Sequence, residues 1–166
     1  FQVCYGFESG DDRVLRRTGK MTTVAQGVDA AKWTHAAGME VSGTFLVGLE
    51  GETEQTVEES IRFAIDNDLD YVQVNAVVPL PTTGFGRRVD RAGLESRPES
   101  FRWIGADTAE SATLEGPLPF HVRRFYRRFY MRPSYVAGRL TSRRGLHALA
   151  SHARLGARMM RAVLEA

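Results

Sequence analysis

The chain has 166 residues, with 22 Lys+Arg against 20 Asp+Glu and 43% hydrophobic residues, the make-up of one globular domain rather than of a disordered or fibrous chain. No apolar run approaches the roughly 18 residues of a membrane span, and Phe1-Gln2-Val3-Cys4-Tyr5 reads as a strand, not as a secretory leader. A single cysteine, Cys4, excludes a disulfide framework or a complete cysteine metal site within the chain, so a reducing, cytoplasmic setting is the expectation.

In chain order, Phe1–Gly6 reads as a short strand and Phe7-Glu8-Ser9-Gly10 as the loop at its end. Asp11 and Asp12 can start a helical turn through Val14 and Leu15. Thr23-Val24-Ala25-Gln26 has the form of a capping box and predicts a helix from Val24 to Ala37, with Val24, Val28, Ala31 and Ala36 near one stripe and Gly38 as its stop. A strand follows from Met39 to Val47. Its run Phe45-Leu46-Val47 has no polar alternation, as in a strand covered on both faces.

Gly48 and Gly51 then allow a tight turn or a close approach of backbone. Thr53 is placed to cap the next helix, with Glu52 and Glu54 at the positive end of its dipole. That helix runs from Glu54 to Asn67 and buries Val57, Ile61, Ala64 and Ile65; Asp70–Val78 is a third strand. The repeat of strand, helix and strand, at about 30 residues per unit, is that of βαβ units in a parallel sheet. Helices on one face leave the other face and both edges bare. A chain that starts on a strand, without an initiator methionine, is therefore expected to be part of a larger fold.

Pro79-Leu80-Pro81 must leave the sheet. Residues 85–118 are turn-rich. Phe120–Met131 is helical in pattern, Pro133 ends or bends it, and a last helix is expected over Leu146–Leu164. Between Gly116 and Ala166 there are 11 arginines and one acid, Glu165. Such a tail can stack and neutralise nucleic acid, seat a helix on an anionic membrane, or pack its aromatics and leave its arginines wet. The last is the simplest reading, membrane contact the next, and nucleic acid the least favoured. His35, His121, His147 and His152 are too scattered for a metal pair, and no nucleophile elbow is present.

Taken together, Gly6-Phe7-Glu8-Ser9-Gly10, Lys20, Gly43-Thr44-Phe45-Leu46-Val47-Gly48-Leu49-Glu50-Gly51-Glu52-Thr53 and Pro79-Leu80-Pro81 resemble the second half of a radical SAM enzyme. The likeness is to the cobalamin-binding-domain class of magnesium-protoporphyrin ester cyclases and hopanoid-modifying enzymes, and Arg123–Pro133 is similar to the end of such proteins. The resemblance implies an α/β fold, the second half of a partial (β/α)6 TIM-like barrel. Strands four to six would be Phe1–Gly6, Met39–Val47 and Asp70–Val78, within a barrel half of residues 1–84, a connecting region of 85–118 and a basic helical tail of 119–166. Two departures touch loop shape: Glu50 stands where the class has proline, and Thr82 where it has glycine.

The same resemblance implies S-adenosylmethionine and a [4Fe–4S] cluster as cofactors, with cobalamin a further cofactor of the class. In the family a CxxxCxxC loop holds the cluster, which reductively cleaves S-adenosylmethionine to a 5′-deoxyadenosyl radical. That loop is absent here, so no catalytic or metal-binding residue is assigned. The cofactor-binding positions it implies are Glu8 and Ser9 toward the ribose and methionyl part, Lys20 toward the methionyl carboxylate, Thr44 and Gly48 flanking ribose and adenine, and Asn75 and Val77 along adenine. Each has a plainer reading: Glu8 could cap the Asp11 turn, Lys20 could be a solvated charge, the glycines could serve the turn, and Asn75–Val78 could be ordinary strand.

The expectation is therefore the C-terminal part of a radical SAM enzyme, inactive without the cluster-binding half, with a small-molecule, lipid or porphyrin-like substrate. Peripheral membrane contact through the tail is left open. The alternative is a stand-alone α/β module whose tail docks on an anionic membrane or nucleic acid.

Overall fold

A computed structural model describes residues 1–77, 84, 114 and 118–141. The chain divides into two compact units, Phe1–Val122 and Arg123–Ala166. In the first, β1 (Gln2–Glu8), α1 (Asp12–Arg17), α2 (Val24–Ala36), β2 (Glu40–Val47), α3 (Glu54–Asp66) and β3 (Tyr71–Ala76) follow in order. The three strands form a parallel sheet in the order β1-β2-β3, with Cys4, Ser42 and Tyr71 level with one another, and Gly6, Thr44 and Gln73 one row above. All three carboxyl ends therefore lie at one edge. The fold class is α/β, as expected.

The helix ends follow their local chemistry. Asp11 caps α1 through its side chain, Thr23 and Gln26 close the anticipated capping box of α2, and Thr53 caps α3 with Thr56 as its reciprocal partner. Each side-chain oxygen satisfies an N–H that the first helical turn leaves without an intrahelical acceptor.

The core lies between the sheet and α2 and α3. Phe7, Phe45 and Phe63 meet there with ring centroids 4.9–6.1 Å apart, each buried ring contributing about 1.5–3 kcal/mol by removal from water. Val14, Leu15, Val41, Val57, Ile61, Leu69, Val72 and Val74 complete it. The α2 stripe differs from the one expected. Ala31 is buried as expected, but Ala36 is exposed, Thr34 is buried in its place, and Gly27 is half-buried. A Cβ on Gly27 would stand 3.0 Å from the Phe63 ring and 3.2 Å from Phe7. The helix turns its smallest residue to the aromatic cluster because large rings already fill that space.

Burial along β2 alternates strictly: Val41, Gly43, Phe45 and Val47 are buried, and the residues between them are half-buried. This corrects the expectation of a strand covered on both faces. Leu46 faces away from the helices, level with the exposed Asn75, so among the described residues the second face is open and carries Cys4, Gly6, Thr44, Gln73 and Asn75.

Residues 118–141 form α4 (Leu118–Tyr130) and α5 (Pro133–Thr141). Pro133 does more than end the first helix. It is the first residue of the second, where its missing N–H costs nothing. No helix among the described residues is long and apolar enough to cross a membrane. The expected loop at Pro79–Pro81, the turn-rich region and the helix over Leu146–Leu164 lie outside the described residues, Gly84, Leu114 and the first residues of α4 excepted.

Candidate functional site

β1 does not end in regular geometry. Its register against β2 shifts between Gly6 and Glu8, and Glu8 has φ of 67°, a left-handed conformation uncommon for a non-glycine residue. The bulge re-aims the Glu8 carboxylate. Its Oε1 lies 3.1 Å from Lys20 Nζ, which also donates to the Gly6 carbonyl at 2.7 Å. Both side chains are about a quarter to a third exposed. The plainer reading of Glu8 as the cap of the Asp11 turn is corrected: Asp11 accepts the Arg13 and Val14 N–H groups itself. Burial raises the Asp11 carboxyl, but the Arg13 guanidinium and those N–H groups outweigh it and hold the group at about 2.

Ser9 follows Glu8 and goes elsewhere. It is buried, accepts the Asp11 N–H at 3.2 Å and lies 3.4 Å from Ser60 Oγ, with Ser60 also accepting the Gly10 N–H. The β1–α1 loop is thereby pinned to α3, and this hydroxyl is engaged within the fold. Thr44 stands on the open face, its Oγ1 3.8 Å from Cys4 Sγ and its row shared with Gly6 and Gln73. Asn75 is exposed on β3. The Val77 N–H donates to the Val47 carbonyl at 2.8 Å and extends the ladder past the strand end.

Gly48 is buried with φ of 94°. A Cβ there would meet Leu118 Cδ2 at 2.8 Å, so both conformation and space require glycine. Its N–H donates to Glu52 Oε2 at 2.6 Å, and the Leu49 N–H to the same oxygen at 3.3 Å. Glu52 is 2% exposed, and its Oε1 has no hydrogen-bond partner among the described residues. Burial pushes its pKa up to about 7 against the pull of those two N–H groups. This role was missed. The sequence placed Glu52 at the helix dipole, whereas it reaches back and clasps the turn that precedes the helix. Its position four residues after Gly48 was the available signal. The end of α1 adjoins this turn, with the Arg17 side chain against Gly51.

The structure thus gathers Glu8 and Lys20 directly, and sets Gly48, Asn75 and Val77 along the same carboxyl edge, with Thr44 one row below on the open face. Parallel α/β sheets place ligands at this edge. The histidines serve other contacts: His35 Nε2 is 3.2 Å from Asp70, and the fully buried His121 has Nδ1 3.3 Å from Glu54; His147 and His152 lie outside the described residues. Among the described residues no three potential metal ligands cluster.

Comparison with known proteins adds a family likeness. Residues 1–64 match the family model of the radical SAM superfamily. An uncharacterised methyltransferase of Pyrococcus horikoshii is 38% identical over 81 residues, 49% of this chain and 18% of the relative. The anaerobic magnesium-protoporphyrin IX monomethyl ester cyclase of Cereibacter sphaeroides is 28% identical over 130 residues, 78% of this chain and 21% of the relative. Its namesake in Rubrivivax gelatinosus is 26% identical over 134 residues, 81% and 24%. The matched part spans about a fifth of the length of these relatives. Over residues 1–64 the chain matches the radical SAM family model, and the likeness to the protoporphyrin-cyclase class read from its ordered motifs is borne out.

Proposed function

We propose that this chain is the C-terminal part of a radical SAM enzyme and forms one side of its S-adenosylmethionine pocket, as strands four to six of a partial barrel. The observation that carries the reading is the Glu8–Lys20 pair, raised by a β-bulge to the carboxyl edge of a parallel sheet and left within reach of solvent. A carboxylate and an ammonium side by side match a zwitterionic methionyl group, with Lys20 receiving the carboxylate and Glu8 the ammonium or a ribose hydroxyl. The open face bearing Thr44 and Asn75 supplies room for ribose and adenine, and the Gly48 turn lets backbone approach closely.

The residues present do not fit a [4Fe–4S] cluster: the chain has one cysteine, exposed on the open face, and three thiolates are needed. The cluster belongs to another part of the enzyme, and no step is assigned to it here. S-adenosylmethionine, when bound, supplies the superfamily's radical chemistry. This chain's residues bind and orient it. The relatives' names make cyclisation of a porphyrin ester or transfer of a methyl group the reaction classes to test first, with cobalamin as a further cofactor to assay.

The test is equilibrium dialysis of S-adenosylmethionine against the enzyme carrying wild-type chain, Glu8→Gln or Lys20→Met. Each variant should weaken binding by about tenfold or more, the size expected for a lost charge-assisted hydrogen bond. Unchanged affinity in both would remove the pair from the pocket. Ser9→Ala should leave affinity near wild type, since its hydroxyl is spent on Ser60 and Asp11.

A further inference from the structure

We propose that Gly6 is a positioning residue for the Glu8–Lys20 pair: its missing side chain leaves the seat on which the Glu8 carboxylate lies against the sheet. This role rests on the reading of that pair as part of the S-adenosylmethionine pocket, and it says what holds the pair in place.

Both charged groups meet at this residue. The Gly6 carbonyl accepts a hydrogen bond from Lys20 Nζ at 2.7 Å, and Lys20 reaches Glu8 Oε1 at 3.1 Å. A Cβ on Gly6 would stand 2.7 Å from that same Glu8 oxygen, 3.6 Å from its carboxyl carbon and 3.4 Å from Lys20 Nζ. The first of these distances is closer than a Cβ can be tolerated, so a methyl group there displaces the carboxylate. The Glu8 backbone is held by the bulge, with its shifted register and φ of 67°. The side chain is therefore what rotates, and Oε1 leaves the place where Lys20 meets it.

Other glycines of the sheet and its loops lack room for a different reason. A Cβ on Gly10 would lie 2.7 Å from backbone atoms of Glu59 and Ser60, and one on Gly43 would strike the Leu69 and Phe7 side chains of the core. Those positions serve the fold. At Gly6 the nearest atoms in the way are the far ends of two side chains that are about a quarter to a third exposed. Gly6 is itself exposed, in the row of Thr44 and Gln73 on the open face. Its φ is not in the left-handed region, and a strand interior takes alanine better than glycine. Neither backbone conformation nor strand stability asks for glycine here; the close approach of the carboxylate does.

The experiment is equilibrium dialysis of S-adenosylmethionine against the enzyme carrying wild-type chain, Gly6→Ala, Glu8→Ala or both, with the urea midpoint of each measured alongside. Gly6→Ala should weaken binding by about tenfold, as Glu8→Ala does, because both take the carboxylate from its place. Its urea midpoint should stay at the wild-type value. In the double variant no carboxylate is left to displace, so Gly6→Ala should add less than about twofold to Glu8→Ala. Affinity kept by Gly6→Ala but lost by Glu8→Ala would overturn the role of Gly6 and leave the pocket standing. Losses that multiply in the double variant would mean that the methyl group strikes the ligand itself, and a lowered urea midpoint would make Gly6 a scaffold glycine; either overturns the proposal. Affinity unchanged in every variant would remove the pair from the pocket, and the role of Gly6 with it.

Discussion

The two βα turns at the carboxyl edge each carry a glutamate, and the two carboxylates meet opposite fates. Glu8 sits on a bulge in a left-handed conformation, partly wet, with one oxygen on Lys20. Glu52 is sealed in, one oxygen holding the Gly48 and Leu49 N–H groups and the other without a partner among the described residues. A partly exposed ion pair is stabilised little by its own attraction and can exchange its partner for a ligand. A buried carboxylate tied to backbone fixes a loop and is raised toward neutrality by the loss of water. The first turn leaves its carboxylate within reach of solvent, and the second holds its own loop in shape.

The hardest way to break this comparison is at Gly48. Gly48→Val forces a branched residue into φ of 94° and against Leu118, and should cost about 3 kcal/mol in urea denaturation. A loss below about 1 kcal/mol would mean that the turn relaxes freely. Next, Glu52→Ala leaves two buried N–H groups without an acceptor and should cost about 2 kcal/mol at pH 5.

Glu52→Gln separates the clasp from the charge. A carboxyl raised from 4.5 to about 7 in the folded chain keeps a proton that the unfolded chain has released. Stability therefore falls as pH rises through that window, by roughly 2–3 kcal/mol between pH 4.5 and 8. The glutamine variant keeps an acceptor for Gly48 and Leu49 but should show a flat profile there, and should exceed wild type at pH 8. A variant that retains the slope would place the titrating group elsewhere. Smallest of all, Glu8→Gln should change stability by under about 1 kcal/mol while weakening S-adenosylmethionine. A large stability loss would make Glu8 a second scaffold residue and erase the contrast.

Much of the fold could be read directly. The capping box at Thr23, the glycine stop at Gly38, the cap at Thr53 and the apolar periodicity of α3 are local signals, and local hydrogen bonding enforces them. Ala36 was misplaced because small residues are tolerated on either side of a helix. The real stripe was decided by where Phe7 and Phe63 left room beside Gly27. Leu46 was read as doubly covered because an apolar run does not say which face has a partner; the sheet and its helices decide that.

By itself the sequence determined the order of strands and helices, their caps, the carboxyl-edge glycines and the ordered motifs that resemble radical SAM enzymes, because these depend on neighbours a few residues apart. Only the tertiary structure decided which polar groups stay within reach of solvent and which serve the scaffold. Glu8 meets Lys20 across 12 residues and Ser9 meets Ser60 across 51, and adjacent residues in one loop are sent to opposite duties by a single bulge. Burial decides the rest: the Glu52 carboxyl is pushed up once the surrounding chain has removed its water, and it clasps a turn instead of meeting solvent.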